Sequence, residues 1–210
     1  MRLARSEVPP VYVLTARVAG VPIVDVVRAV VEGGALWIQY REKELGDAER
    51  LREVESAVAA LPALGRLFVN DRTDLALLAS ADGVHLGDED LPPAAARKAA
   101  GEKLLIGYST HSADEALEAA ADPDIDYVAL GPIFRSATKN VREPLGLEPL
   151  RRVRESTEKP LVAIGGIDAA TIGEVLDSGA DTAAVIAAVY AGGDIRENVR
   201  RLVDAAERPR

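Results

Sequence analysis

Eight short apolar runs rich in β-branched residues recur along the 210 residues, and each gives way to a stretch of helical periodicity. The runs cover 11–15, 35–39, 67–69, 83–86, 104–107, 127–130, 161–164 and 183–186. Many are apolar at nearly every position, the pattern of parallel strands covered on both faces. Between them, Leu51, Val54, Val58 and Leu61 share one helical face, as do Ile195, Val199, Leu202 and Val203. Gly33-Gly34, Pro92-Pro93, Pro132, Pro144, Gly165-Gly166 and Gly192-Gly193 punctuate the joins. Strict strand–helix alternation calls for crossover connections and hence a parallel sheet. Eight such units in little more than 200 residues predict an α/β chain forming a single (β/α)8 TIM barrel, one domain over 1–210 with its core over about 11–206. An open doubly wound sheet is the alternative. It uses fewer strands, and no G-x-G-x-x-G follows the first strand here.

Composition narrows the partners. The formal net charge of −9 repels nucleic acid and anionic membrane surfaces alike. No apolar run approaches the roughly 20 residues of a membrane helix. Met1 to Ser6 lacks the apolar stretch of a signal peptide, and there is no cysteine to form a disulfide or thiolate site. The expectation is a cytoplasmic protein whose partners are small phosphorylated molecules, with a homodimer as a possible assembly. In so acidic a chain, cations gathered at strand ends imply a local anion.

The second run continues as Gln39-Tyr40-Arg41-Glu42-Lys43. Strand side chains alternate, so Gln39, Arg41 and Lys43 share a face opposite Ile38, Tyr40 and Glu42. If the first face points into the barrel mouth, two cations converge where this fold carries its chemistry; a salt-bridged rim is the plainer reading. Asn70-Asp71 follows the third run, and Asp88-Glu89-Asp90 the fourth. Either could cap a helix. Asp71 and Asp90 at neighbouring strand ends could instead hold Mg2+, which favours a few carboxylates together with phosphate oxygens. His85, inside an apolar run, reads as a hydrogen-bonded core histidine. His111, in Ser109-Thr110-His111-Ser112, occupies a strand-to-loop position suited to catalysis or to a cap, and Ser109 could touch substrate or cap the helix near Ala113. The polar loop from Gly131 to Lys139 lies where such barrels carry function. Gly165-Gly166 and Ile186-Ala187 end the last two runs, where a Gly-rich turn and a helix terminus favour phosphate.

Taken in order, Gln39-Tyr40-Arg41-Glu42-Lys43, Asn70-Asp71, the segments Ala81 to Asp90, Ser109 to Ser112, Gly131 to Lys139 and Ala163 to Ile167 resemble the thiamine phosphate synthase family, in the superfamily that includes the thiazole tautomerase TenI. The likeness runs from about Val11 to Ala191. It implies a transferase joining hydroxymethylpyrimidine diphosphate to hydroxyethylthiazole phosphate with loss of diphosphate. In that family the C–O bond breaks first, and the thiazole nitrogen captures a pyrimidine-stabilised carbocation. By motif, Arg41, Lys43, Asn70 and Lys139 would contact the diphosphate, with Arg41, Lys43, Lys139 and Ser109 as the catalytic set. Asp71 and Asp90 would hold Mg2+, and Gln39 and Ser109 would face the pyrimidine. Ser136, Thr138, Gly166, Ile186 and Ala187 would hold the thiazole phosphate.

Three departures stand out. Arg135-Ser136 replaces the family's usual Pro-Thr, Ala187 replaces a serine, and Thr182 stands where glycine is common. All three suggest changes on the thiazole side; losing the serine donor would weaken phosphate binding by about 1.5–3 kcal/mol. A tautomerase using His111, or a phosphate-binding barrel without catalysis, are the competing readings.

Overall fold

The computed structural model describes residues 3–135 and 143–207. Ser136, Thr138 and Lys139 lie outside the described residues. Eight parallel strands close into a barrel in sequence order: β1 (Val11–Leu14), β2 (Trp37–Tyr40), β3 (Arg66–Asn70), β4 (Gly83–Leu86), β5 (Leu105–Thr110), β6 (Tyr127–Leu130), β7 (Leu161–Ile164) and β8 (Thr182–Val185). The outer layer holds α1 (Ile23–Glu32), α2 (Asp47–Ala59), α3 (Thr73–Leu78), α4 (Pro93–Ala100), α5 (Ala113–Ala121), α6 (Glu148–Ser156), α7 (Ile172–Asp177) and α9 (Ile195–Ala206). A four-residue helix, α8 (Ala187–Tyr190), lies between β8 and α9. Among the described residues, no helix is long and apolar enough to cross a membrane.

Two apolar cores result from the alternation of side chains. One lies between strands and helices: Val54 and Ala57 of α2 and Val199 and Leu202 of α9 are buried there. The other fills the barrel, and cross-strand register sets its membership. Tyr12 pairs with Trp37, Phe68 with Gly83, Gly107 with Tyr127, and Val162 with Thr182. Tyr12, Trp37, Phe68 and Tyr127 pack with ring centroids 4.9–6.3 Å apart, several of them edge to face, which adds to their burial energy. Small residues opposite make the room. A Cβ on Gly107 would lie 2.0 Å from Tyr127 Cζ, and one on Gly83 would lie 2.6 Å from Phe68 Cδ1.

Three expectations change here. The fifth strand runs on to Thr110, so Ser109 belongs to the strand and not to the following loop. Gly165 and Gly166, at φ 105° and 65°, are not followed at once by a helix, because α7 begins at Ile172. Their lack of a side chain lets the segment after β6 cross closely: a Cβ on Gly166 would sit 2.5 Å from the Arg135 carbonyl oxygen. Thr182 begins β8, at the end of the barrel away from the mouth, with its hydroxyl fully buried and without a hydrogen-bond partner among the described residues. It therefore does not belong to the thiazole side.

Candidate active site

Residues at the C-terminal ends of β2, β3 and β4 gather charge. Arg41 leaves β2 half-buried; its backbone N–H donates to Thr15 Oγ1 at 3.0 Å, and its guanidinium makes no salt bridge among the described residues. Lys43 Nζ is 3.0 Å from Asp71 Oδ2. A salt-bridged rim is thus half right: Lys43 is paired, while Arg41 forms no salt bridge among the described residues. The opposite face behaves as the pleat requires, with the Tyr40 hydroxyl donating to Glu53 and Glu42 paired with Arg17.

Asp71 is no helix cap. The first turn of α3 has no side-chain cap, and the Asp71 backbone sits at φ 65°, an uncommon conformation outside glycine. Its N–H donates to the His85 carbonyl at 2.9 Å, which ties it to β4. Asp90 does not cap α4 either; its Oδ2 accepts the Gly87 N–H at 2.7 Å. The Asp71 carboxyl lies near enough to Asp90 to act on its ionisation. Burial and, secondarily, the Asp71 charge push Asp90 above the ordinary carboxylate range, although the Gly87 N–H works against this. Two neighbouring acidic groups, each disfavouring the other's ionisation, with Lys43 beside Asp71, fit a hard divalent cation that would replace the proton. Among the described residues, no three or more acidic, histidine or cysteine side chains are grouped so as to hold a metal ion on their own, so the remaining ligands would be water or substrate oxygens. Asn70, half-buried at the end of β3, pairs in register with His85.

Beneath this rim runs a chain of hydrogen bonds through the barrel. Gln39 Nε2 donates to the Tyr12 hydroxyl (3.1 Å), which meets the Tyr127 hydroxyl (3.1 Å), which meets His85 Nδ1 (2.9 Å); His85 Nε2 meets Ser109 Oγ (2.8 Å). Burial lowers the His85 pKa to about 4, against the weaker opposing pull of Asp71, so the ring is neutral at pH 7. Burial likewise raises both tyrosines. Gln39 and Ser109 are thus joined through His85. The core reading of His85 holds, but its two partners extend beyond a local core contact. Tyr12 and Tyr127 escaped sequence reasoning; the available signal was that each places a hydroxyl on an inward-facing strand position.

Ser109 does not cap α5, because Ser112 accepts the Glu115 N–H in that role. His111 Nδ1 is 3.1 Å from the Gly131 carbonyl, and its backbone N–H donates to Glu115. Gly166 and Ile186-Ala187 follow the neighbouring strands β7 and β8, and α8 starts at Ala187 with its first N–H groups lacking intrahelical partners. Arg135 is exposed and lies 3.6 Å from Glu143.

A family model described as thiamine monophosphate synthase matches residues 11–189. The chain belongs to that family. A thiamine-phosphate synthase of Moorella thermoacetica is 40% identical over 203 residues, covering 95% of this chain and 96% of that protein. One from Gloeobacter violaceus is 46% identical over 178 residues; these span 82% of this chain but only 50% of that longer relative. Among solved structures, a thiamine phosphate pyrophosphorylase from Pyrococcus furiosus superposes with a TM-score of 0.87 at 38% identity, covering 97% of each chain. Members of the thiamine monophosphate synthase family thus share both sequence and barrel with this chain.

Proposed function

We propose that the mouth of the barrel joins hydroxymethylpyrimidine diphosphate to hydroxyethylthiazole phosphate and releases diphosphate. The observation that carries this reading is Lys43 beside Asp71, and Asp71 near Asp90, at adjacent strand ends, with Arg41 just after β2, Asn70 ending β3, and Gln39 and Ser109 on their strands. The proposed reaction asks this set for neither a nucleophile nor a base. The set suits a reaction whose difficulty is the departure of an anion, where positioning and charge neutralisation do the catalysis.

Arg41 would bind leaving-group oxygens with a guanidinium that has no carboxylate partner to give up among the described residues. Lys43, held by Asp71, would add a second cation, and Lys139 a third from outside the described residues. Mg2+ bound by Asp71 and Asp90 would offset the charge that builds on the departing diphosphate. Gln39 and Ser109 would hold the pyrimidine while its methylene carbon becomes cationic, and the thiazole nitrogen would capture that carbon. Ser136, Thr138, Gly166 and the backbone of Ile186-Ala187 would hold the thiazole phosphate, in the region after the last two strands where this fold commonly binds phosphate. With Ala187 supplying no hydroxyl, that grip relies on backbone donors. The tautomerase reading would use His111, whose Nδ1 faces the Gly131 carbonyl at 3.1 Å and whose Nε2 is left for proton transfer; it makes no use of the cations and acids at β2 to β4.

Incubating the protein with both substrates and Mg2+ should yield thiamine phosphate and diphosphate in equal amounts. Absence of both products at high enzyme concentration, with turnover of the thiazole tautomerase substrate, would reverse the assignment.

A further inference from the structure

Each hydroxyl in the chain from Gln39 to Ser109 has one proton to donate, and a neutral imidazole has one donor and one acceptor nitrogen. The direction of the whole chain therefore follows from either end. Gln39 Nε2 donates to the Tyr12 oxygen. If the Tyr12 proton then goes to Tyr127 and the Tyr127 proton to His85 Nδ1, His85 carries its proton on Nε2 and donates it to Ser109 Oγ. Every buried proton then has an acceptor. Reversing the histidine alone leaves one phenol proton buried with none, a costly arrangement. Ser109 already accepts from the ring and is itself only half-buried, so its own proton is directed outward to the mouth.

We infer that His85, through Tyr127 and Tyr12, is a positioning residue that couples the Gln39 amide to the Ser109 hydroxyl, making Ser109 a hydrogen-bond donor toward the substrate ring. This rests on the proposed binding of a heteroaromatic ring between Gln39 and Ser109. It deepens that reading by specifying what the ring must offer: an unprotonated ring nitrogen, or another acceptor, opposite Ser109. A ring bearing N–H at that position would meet donor against donor and be rejected. Gln39 acts as a switch as well as a contact, because a side chain that accepts from Tyr12 turns every proton in the chain around.

The chain has two histidines, so 15N NMR of the full-length protein can assign the His85 tautomer directly, with His111→Gln as the assignment control. Wild type is expected to show the proton on Nε2. Gln39→Glu places an acceptor against Tyr12 and is expected to move the proton to Nδ1. Should that variant fail to fold, Tyr127→Phe serves, because it keeps the ring stack but removes the lock and should give a mixture of tautomers. A wild-type proton on Nδ1, or a tautomer indifferent to both substitutions, overturns the inference. The functional arm is the KM split in Tyr127→Phe: roughly tenfold higher for the pyrimidine diphosphate, as for the loss of one hydrogen bond, and unchanged for the thiazole phosphate. Equal effects on both substrates, or none on either, would also overturn it. If wild type makes no thiamine phosphate, the reaction assignment fails while the tautomer measurements still decide the relay.

Discussion

Asp71 combines three properties that a structural aspartate has no reason to combine: a left-handed backbone, a half-exposed ion pair with Lys43, and a second carboxyl nearby. Strain of this kind collects at functional sites. Asp71→Asn tolerates the positive φ and keeps an oxygen while removing the charge. It should abolish most Mg2+-dependent turnover and leave the melting temperature close to that of wild type; unchanged kinetics would reduce Asp71 to a structural role. His85 makes a separate prediction about acid stability. Its folded pKa of about 4 lies below the ordinary value of 6.5, so between those values the unfolded chain takes up a proton that the folded one refuses. Stability should fall as pH drops through that window, by about 3 kcal/mol from this group, and be unaffected above it. Urea unfolding at pH 7 and pH 4.5 should show a smaller acid loss in His85→Gln. An equal loss in both proteins would show that His85 is not the group responsible.

At the scale of elements, the barrel repeats one device at its closed end. The residue before each of β4, β6 and β8 is an aspartate that accepts the N–H of a residue at the base of the preceding odd-numbered strand: Asp82 from Leu67, Asp126 from Ile106 and Asp181 from Leu161, all at 2.7–2.8 Å. Asp126 and Asp181 also bind Arg97 and Arg154 at 2.6 and 2.7 Å, with both carboxylates only 9% exposed. Asp181→Ala would remove the carboxylate partner of Arg154 and Arg5 and orphan the Leu161 N–H, leaving Arg154 only the Thr157 and Lys159 carbonyls, at a cost of about 3 kcal/mol. Asp181→Asn keeps an acceptor and should cost less. Chemical unfolding would measure both, while kcat stays at the wild-type value because this end is remote from the mouth; a large kcat loss in a folded variant would contradict that separation.

These elements also show where sequence reading succeeds and where it stops. The common face of Gln39 and Arg41 is legible because the pleat has a period of two. The end of β5 is not, since Tyr108-Ser109-Thr110 is polar and reads as a loop until its pairing with β6 is known. Gly165-Gly166 is visible as a special turn, yet its main reason lies in a segment more than thirty residues earlier, around Pro132 and Arg135, that crosses it. Tyr12 and Tyr127 are indistinguishable from core aromatics without the register that brings their hydroxyls together. Thr182 looks like a substitution near phosphate because it is close to Ile186 in the chain, although a strand's length separates them in space.

For the molecule as a whole, the division of the barrel matters most. The closed end is built for stability from aspartates, arginines and aromatic packing. The open end leaves Arg41 without a salt bridge among the described residues and holds Asp71 near Asp90, in a chain whose net charge is −9. Under the proposed function, this mouth is a local anion site on an acidic protein. Calorimetric titration of inorganic diphosphate tests it most directly. Binding at one site per chain should require Mg2+, and Arg41→Gln should weaken it by roughly 10- to 150-fold, the loss of a charged hydrogen bond. No binding with Mg2+ present, or equal affinity in the two proteins, would contradict the account.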